Sequence, residues 1–265
     1  MRNTTTKSSV LKAKNLSIGY AAKASQHCIA KNLNLELLKG QMVCLIGKNG
    51  IGKSTLLRTL SKTQVALKGD IWLGEKKIHE IKTSTLAKKM SLVLTEKIPE
   101  SQLSVFEIIA LGRQPYTNWM GKLSPEDYKI VSAAMELVHI SELSTKKFNE
   151  LSDGQAQKVM IARALAQDTD LIILDEPTAH LDLHHKIEVF KILKKLVTET
   201  GKTILLSTHE VNLSLQIADF FWLMSDNKFA VGTKESLIET KEIEHIFPKD
   251  QIIFCKNTEQ FILKS

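Results

Sequence analysis

Two stretches of the chain carry side chains whose types and spacing suit phosphate chemistry. The first, Gly47-Lys48-Asn49-Gly50-Ile51-Gly52-Lys53-Ser54, fits the G-x-x-x-x-G-K-[ST] pattern. Its glycines permit positive φ, so successive backbone N–H groups can turn inward and cradle phosphate oxygens. A helix opening near Lys53 adds the partial positive charge of its N-terminus. Lys53 would then reach the β- and γ-phosphates of a nucleotide, and the Ser54 hydroxyl would bind Mg²⁺. The second stretch, Leu171-Ile172-Ile173-Leu174-Asp175-Glu176-Pro177, is an apolar run ending in two carboxylates. As a strand of a parallel sheet it would put both acids at the carboxyl edge, where ligands bind. Asp175 would hold Mg²⁺ through water there, and Glu176 would polarise an attacking water as general base. Either stretch alone has a bland reading, a glycine-rich turn or a strand that ends in acids. Together in one chain they read as a site for nucleotide hydrolysis.

The elements that must position these residues follow from periodicity. Residues 10–19 and 28–37 read as strands, the latter alternating through Asn32-Leu33-Asn34-Leu35-Glu36-Leu37, and 42–46 as a short buried strand entering the glycine loop. Helical periodicity runs from 53 to about 60, and 69–73 reads as another strand. Ser104-Val105-Phe106-Glu107 has the form of a capping box opening a helix to about 111. Ser124-Pro125-Glu126-Asp127 opens a second helix, to about 138, with a cap, a first-position proline and acid in the first turn. A third helix follows Gly154. Then come a strand at 171–174, a helix at 183–197, a strand at 203–207 and a helix from 210. This order implies a nucleotide-binding α/β core with a mostly helical insertion near 96–165. The last 40 or so residues read as short strands and a helix with no assigned chemistry.

Composition narrows the class. Lys and Arg total 36 against 29 Asp and Glu, a formal net charge of +7. The excess is lysine spread along the chain, without a block of like charge. Charge alone does not separate a lysine-rich surface from an affinity for nucleic acid or an anionic membrane. No stretch approaches the roughly 18 apolar residues of a spanning helix, and the polar opening residues lack the apolar core of a secretory signal. Cys28, Cys44 and Cys255 are odd in number and widely spaced. They exclude a disulfide framework or a four-cysteine metal site and fit a reducing compartment.

Between the two phosphate-chemistry stretches lies Leu151-Ser152-Asp153-Gly154-Gln155, followed by Ala156-Gln157-Lys158. It resembles the LSGGQ signature of ABC-type ATPases. Other elements of that family stand in order: Tyr20 where an adenine-stacking aromatic is expected, Ala179-His180-Leu181-Asp182 similar to the loop after the carboxylates, and His209 in Leu205-Leu206-Ser207-Thr208-His209-Glu210 similar to the switch histidine. The resemblance spans about residues 8–240. It implies an α/β, P-loop NTPase ABC-type nucleotide-binding domain with an antiparallel β subdomain and an inserted α-helical subdomain at about 96–165, leaving 241–265 as a short C-terminal extension. ATP and Mg²⁺ are the implied cofactors. The implied nucleotide contacts are Tyr20, Gly47, Lys48, Asn49, Gly50, Ile51, Gly52, Lys53, Ser54, Thr55, Ser152, Gly154, Gln155 and Asp182. Glu176, His209 and Lys53 are the implied catalytic residues, with Ser54 and Asp175 on the metal. In this family the Ser152–Gly154 region faces the γ-phosphate held by a second subunit, so a head-to-tail homodimer would sandwich two nucleotides, with Asp182 crossing the same interface.

Two positions depart from the family pattern. Asp153 replaces the second signature glycine and reads as an N-cap for the helix that follows. Thr95 stands where a metal-touching glutamine is usual, and it is too short to copy that reach, so Glu96 or a water is expected to substitute. The adjacent His184 and His185 read as surface residues, because neighbours on a helix diverge by about 100° and rarely chelate one ion.

The absence of spanning helices and of a long coiled-coil arm implies a separate subunit on the cytoplasmic face of the membrane. It would serve two transmembrane permease subunits and, through them, an extracytoplasmic binding protein. The run Ala110-Leu111-Gly112-Arg113-Gln114-Pro115-Tyr116, with Gly121–Asp127 and Thr178–His185, resembles ATPases of iron–siderophore, haem and vitamin B12 import. Surface grooves near 95–115 would take a cytoplasmic helix of the permease. Nucleic acid is not an expected partner. The contrasting reading is a soluble regulatory or nucleic-acid-associated ATPase of the same fold.

Overall fold

The computed structural model describes residues 8–22, 25–94, 101–226, 228–246 and 252–264. The chain opens with β1 (Ser9–Ala22), β2 (Ser25–Leu38) and β3 (Met42–Ile46), then α1 (Lys53–Leu60), β4 (Lys68–Leu73), β5 (Lys76–Lys77), the single turn α2 (Thr83–Leu86) and β6 (Met90–Val93). The middle is helical: α3 (Val105–Ala110), a 3-10 turn (Leu111–Tyr116), α4 (Pro125–Leu137) and α5 (Asp153–Ala166). Strand–helix alternation follows through β7 (Leu171–Asp175), α6 (Leu183–Thr200), β8 (Thr203–Thr208), α7 (Val211–Ile217), β9 (Phe220–Met224) and β10 (Phe229–Gly232). The chain closes with α8 (Lys234–Glu239) and the hairpin β11 (Ile252–Cys255) and β12 (Gln260–Leu263).

Two sheets organise the molecule. An antiparallel sheet has the order β2-β1-β4-β5, and a six-stranded sheet the order β10-β9-β3-β8-β7-β6. In the larger sheet β9, β3, β8, β7 and β6 are mutually parallel. Their carboxyl ends therefore share one edge, which gathers the loop after β3, the acids ending β7 and the histidine after β8. The strands are apolar on both faces because both are covered. In β3, Val43 and Leu45 face a core shared with Leu56, Leu57, Leu60 and the antiparallel sheet, while Met42, Cys44 and Ile46 face the core under α5 and α6.

The helical region is fixed by caps and one buried ion pair. Ser104 with Glu107 and Ser124 with Asp127 form reciprocal capping boxes for α3 and α4, as their sequences imply. Arg113 and Asp127 are each 5% exposed and meet at 2.7 Å, and Arg113 Nη1 donates to the Ala166 carbonyl at 2.8 Å. The hydroxyl and amide of Ser124, with Arg113, hold the Asp127 carboxyl down at about 2. Gly112 lets the 3-10 turn approach α5 closely, since a Cβ there would stand 2.3 Å from the Arg163 carbonyl oxygen.

One expectation is corrected at α5. Its N-cap is Ser152, whose hydroxyl accepts from the Gln155 amide while Gln155 Oε1 accepts from the Ser152 amide. Asp153 is instead the first helical residue. Ser152 wins the cap because its three-residue spacing to Gln155 completes a reciprocal box, and Asp153 is left to favour the helix dipole from the first turn.

Candidate nucleotide site

The loop after β3 is shaped by close approaches that only glycine permits. A Cβ on Gly47 would lie 2.4 Å from the Met224 carbonyl oxygen, and Gly52, at φ +110°, would put one 2.4 Å from Ile29 Cγ2. Gly52 caps α1 in the left-handed conformation and so turns the chain directly into Lys53. Lys53 is 4% exposed. Its ammonium donates to the carbonyls of Gly47 at 2.8 Å and Lys48 at 3.2 Å and lies 3.2 Å from Glu176 Oε1. A buried ammonium needs such partners, because burial without them costs several kcal/mol. Lys48, Asn49 and Gly50 are exposed on the loop, Ile51 and Ser54 half-buried and Thr55 buried. The Tyr20 hydroxyl lies 3.0 Å from Thr55 Oγ1, which leaves that half-exposed ring beside the loop.

The acids that end β7 differ in setting. Asp175 is 2% exposed, and its Oδ1 accepts from the Ser207 hydroxyl at 2.6 Å. The same hydroxyl oxygen accepts from the Glu176 amide at 2.9 Å, so Ser207 of β8 fixes both acids relative to the sheet. Glu176 takes φ +47°, a conformation non-glycine residues adopt only when their surroundings enforce it. Its Oε2 lies 3.7 Å from His209 Nδ1. On the other side of that ring, Nε2 is 3.2 Å from Glu210 Oε1, and Glu210 pairs in turn with Lys186. Glu176 thus stands between Lys53 and His209, two groups the sequence reading assigned to the same reaction.

The signature residues form a second group. Ser152 is exposed and Gly154 buried; a Cβ on Gly154 would press 2.6 Å into the His185 ring. Asp182 caps α6, accepting from the His185 amide and facing His185 Nδ1, both at 2.9 Å. Those contacts hold the Asp182 carboxyl below its ordinary range. His185 therefore joins the start of α6 to the start of α5. Thr95 and Glu96 lie outside the described residues.

Sequence reasoning missed three parts of this arrangement. Ser207 carried no signal beyond being a small polar residue at a strand end. Arg113 and Gly112 were noticed only as part of a resemblance, and their work is mechanical. The tie from His185 to Gly154 joins residues 31 positions apart and has no local signature.

A phosphate loop, paired acids and a histidine on one edge of a largely parallel sheet define a phosphate-loop nucleoside-triphosphate hydrolase. The ABC transporter family profile matches residues 30–179. An uncharacterized ABC transporter ATP-binding protein of Methanocaldococcus jannaschii is 39% identical over 257 residues, covering 97% of this chain and 87% of that protein. The iron(3+)-hydroxamate import ATP-binding protein of Bacillus subtilis is 38% identical over 210 residues, 79% of this chain and 77% of its own. Among solved structures, one described as a metal-chelate type ABC transporter in an inward-facing conformation is 28% identical with a TM-score of 0.78, covering 96% of this chain and 95% of its own. An ATP-binding cassette solved as a dimer with ADP and Pi is 26% identical with a TM-score of 0.73, covering 84% of this chain and 98% of its own. The chain belongs to the ABC transporter family as an ATP-binding subunit, a class that hydrolyses ATP to power transport. Among the described residues no helix is long and apolar enough to cross a membrane.

Proposed function

We propose that this chain is the ATP-hydrolysing subunit of an importer for an iron complex, a siderophore or haem, working as a homodimer beneath two permease subunits on the cytoplasmic face of the membrane. The observation that carries the reading is Glu176 placed between buried Lys53 and His209, in a chain similar to a named iron-hydroxamate import ATPase. In this reading the amides of residues 47–55 and Lys53 hold the phosphates, and the Tyr20 ring stacks on adenine. A γ-phosphate competes with Glu176 for the Lys53 ammonium, which frees the carboxylate to take a proton from the attacking water. His209 orients that water and the phosphate.

The Ser54 hydroxyl and the Asp175 carboxylate are hard oxygen donors on neighbouring segments and fit Mg²⁺, which when bound would offset charge on the phosphates. Ser152, Gly154, Gln155 and Asp182 complete the site of a second copy. The dimeric neighbour with ADP and Pi supports that arrangement. The apolar groove around Phe106, Ala110, Leu111 and Tyr128 takes the permease's cytoplasmic helix, and the binding protein is met only through the permease.

The test is to tag the chain in its host, solubilise membranes in mild detergent and identify what co-purifies. Recovery with a polytopic permease in equal copy number supports the importer. Uptake assays with labelled ferric hydroxamate, haem and vitamin B12 then separate the cargoes. Recovery as a soluble protein, or with nucleic acid, would contradict the importer while leaving the ATPase intact.

A further inference from the structure

The first turns of α6 carry a cluster that adjacent histidines did not suggest from sequence. His184, His185 and Glu188 present ligand atoms that all lie within 4.8 Å of one another. The two rings stand edge to face, 5.6 Å between centroids, and Glu188, four and three residues on, shares their face of the helix. An ion with bonds of about 2.0–2.1 Å in tetrahedral geometry holds its ligands about 3.4 Å apart. The cluster must therefore contract by about 1.4 Å at most, within reach of small side-chain rotations. His185 already meets the usual condition of a metal-bound imidazole. Its Nδ1 is held by the Asp182 carboxylate at 2.9 Å, which fixes the ring and leaves Nε2 as the donor atom.

A cation already stands at the third ligand. The Lys158 ammonium of α5 lies 2.9 Å from Glu188 Oε2, with side-chain exposures of 16% and 35%. That contact holds the Glu188 carboxylate on the side of α6 that faces α5. Two imidazoles and one carboxylate form a donor set suited to Zn²⁺, Co²⁺ or Ni²⁺ and poorly suited to Mg²⁺ or Ca²⁺. We propose that His184, His185 and Glu188 bind one divalent transition-metal ion, which displaces the Lys158 ammonium from Glu188. A water completes the coordination, and the site straddles the α5–α6 junction where His185 lies on Gly154.

The experiment is calorimetric titration of the full-length, nucleotide-free protein with Zn²⁺, with Co²⁺ absorption bands reporting tetrahedral geometry. One ion binds per chain at this cluster. His184→Ala and Glu188→Gln each weaken Zn²⁺ by about tenfold or more, while Lys158→Gln tightens it, because the competing charge is gone. Unchanged affinity in His184→Ala and Glu188→Gln would overturn the site and move any bound ion to other donors, such as His27 and exposed Cys28. Unchanged affinity in Lys158→Gln would overturn the displacement. All three substitutions sit on exposed or half-exposed positions that neither the phosphate loop nor the acids depend on.

Discussion

At the loop edge of the parallel sheet, Lys53 is buried, Gly47 and Gly52 admit no side chain, and Glu176 is held at positive φ by the Ser207 hydroxyl and its neighbours. At the start of α5, Ser152 is exposed, its cap is local, and the buried member is Gly154 beneath the His185 ring. The first region satisfies its charges within one chain and spends backbone strain to do so. The second exposes Ser152 and Asp153 at the head of α5, where Ser152 and Gln155 cap one another. On the proposed head-to-tail pairing, the first region is the half one chain completes by itself and the second the half it offers to its partner.

Separate breakage of the two regions and of the framework that joins them sharpens the contrast. Arg113→Ala carries the largest expected effect on stability. It leaves the buried Asp127 carboxylate with Ser124 but without its cation, and the Ala166 carbonyl without its Arg113 donor, a loss of about 3 kcal/mol, read by urea denaturation. Lys53→Ala comes next, with ATP affinity about 100-fold lower, equivalent to about 2.7 kcal/mol, by equilibrium titration, and with the head of α5 untouched.

Acid tests the framework a second way. Asp127 is depressed to about 2 in the folded chain, so its contribution is fully present above the unfolded value of about 3.9. It is lost as pH falls from about 3.9 through about 2. Asp127→Asn should flatten the stability profile in that window, measured by thermal melts against pH. Smallest is Ser152→Ala, which removes the cap of α5 for about 1 kcal/mol while leaving ATP binding by the monomer unchanged.

How legible this was from sequence differs by region. The placement of the glycine loop, the acids and His209 was readable because each is a short pattern on one strand end, and parallel pairing then brings strand ends together without further information. The capping boxes at Ser104 and Ser124 were readable for the same local reason. Asp153 misled because two good capping residues stand side by side, and only the reciprocal partner Gln155 decides between them. Ser207, Gly112 and His185 were illegible as actors, since each works on a residue brought near by the fold rather than by spacing. The grouping of His184 and His185 with Glu188 was not legible for a related reason: the angular argument weighed the two histidines alone and left out side-chain reach and the residue one turn on.

On the proposed reading Glu176 is the base, held between Lys53 and His209. The direct measurement is Glu176→Gln, assayed together for ATP binding, ATP-dependent dimerisation by light scattering, and phosphate release. The account predicts binding and a persistent dimer with turnover reduced by roughly 10²–10⁴-fold. Turnover equal to that of the unaltered protein would contradict it and move the base elsewhere on the sheet edge.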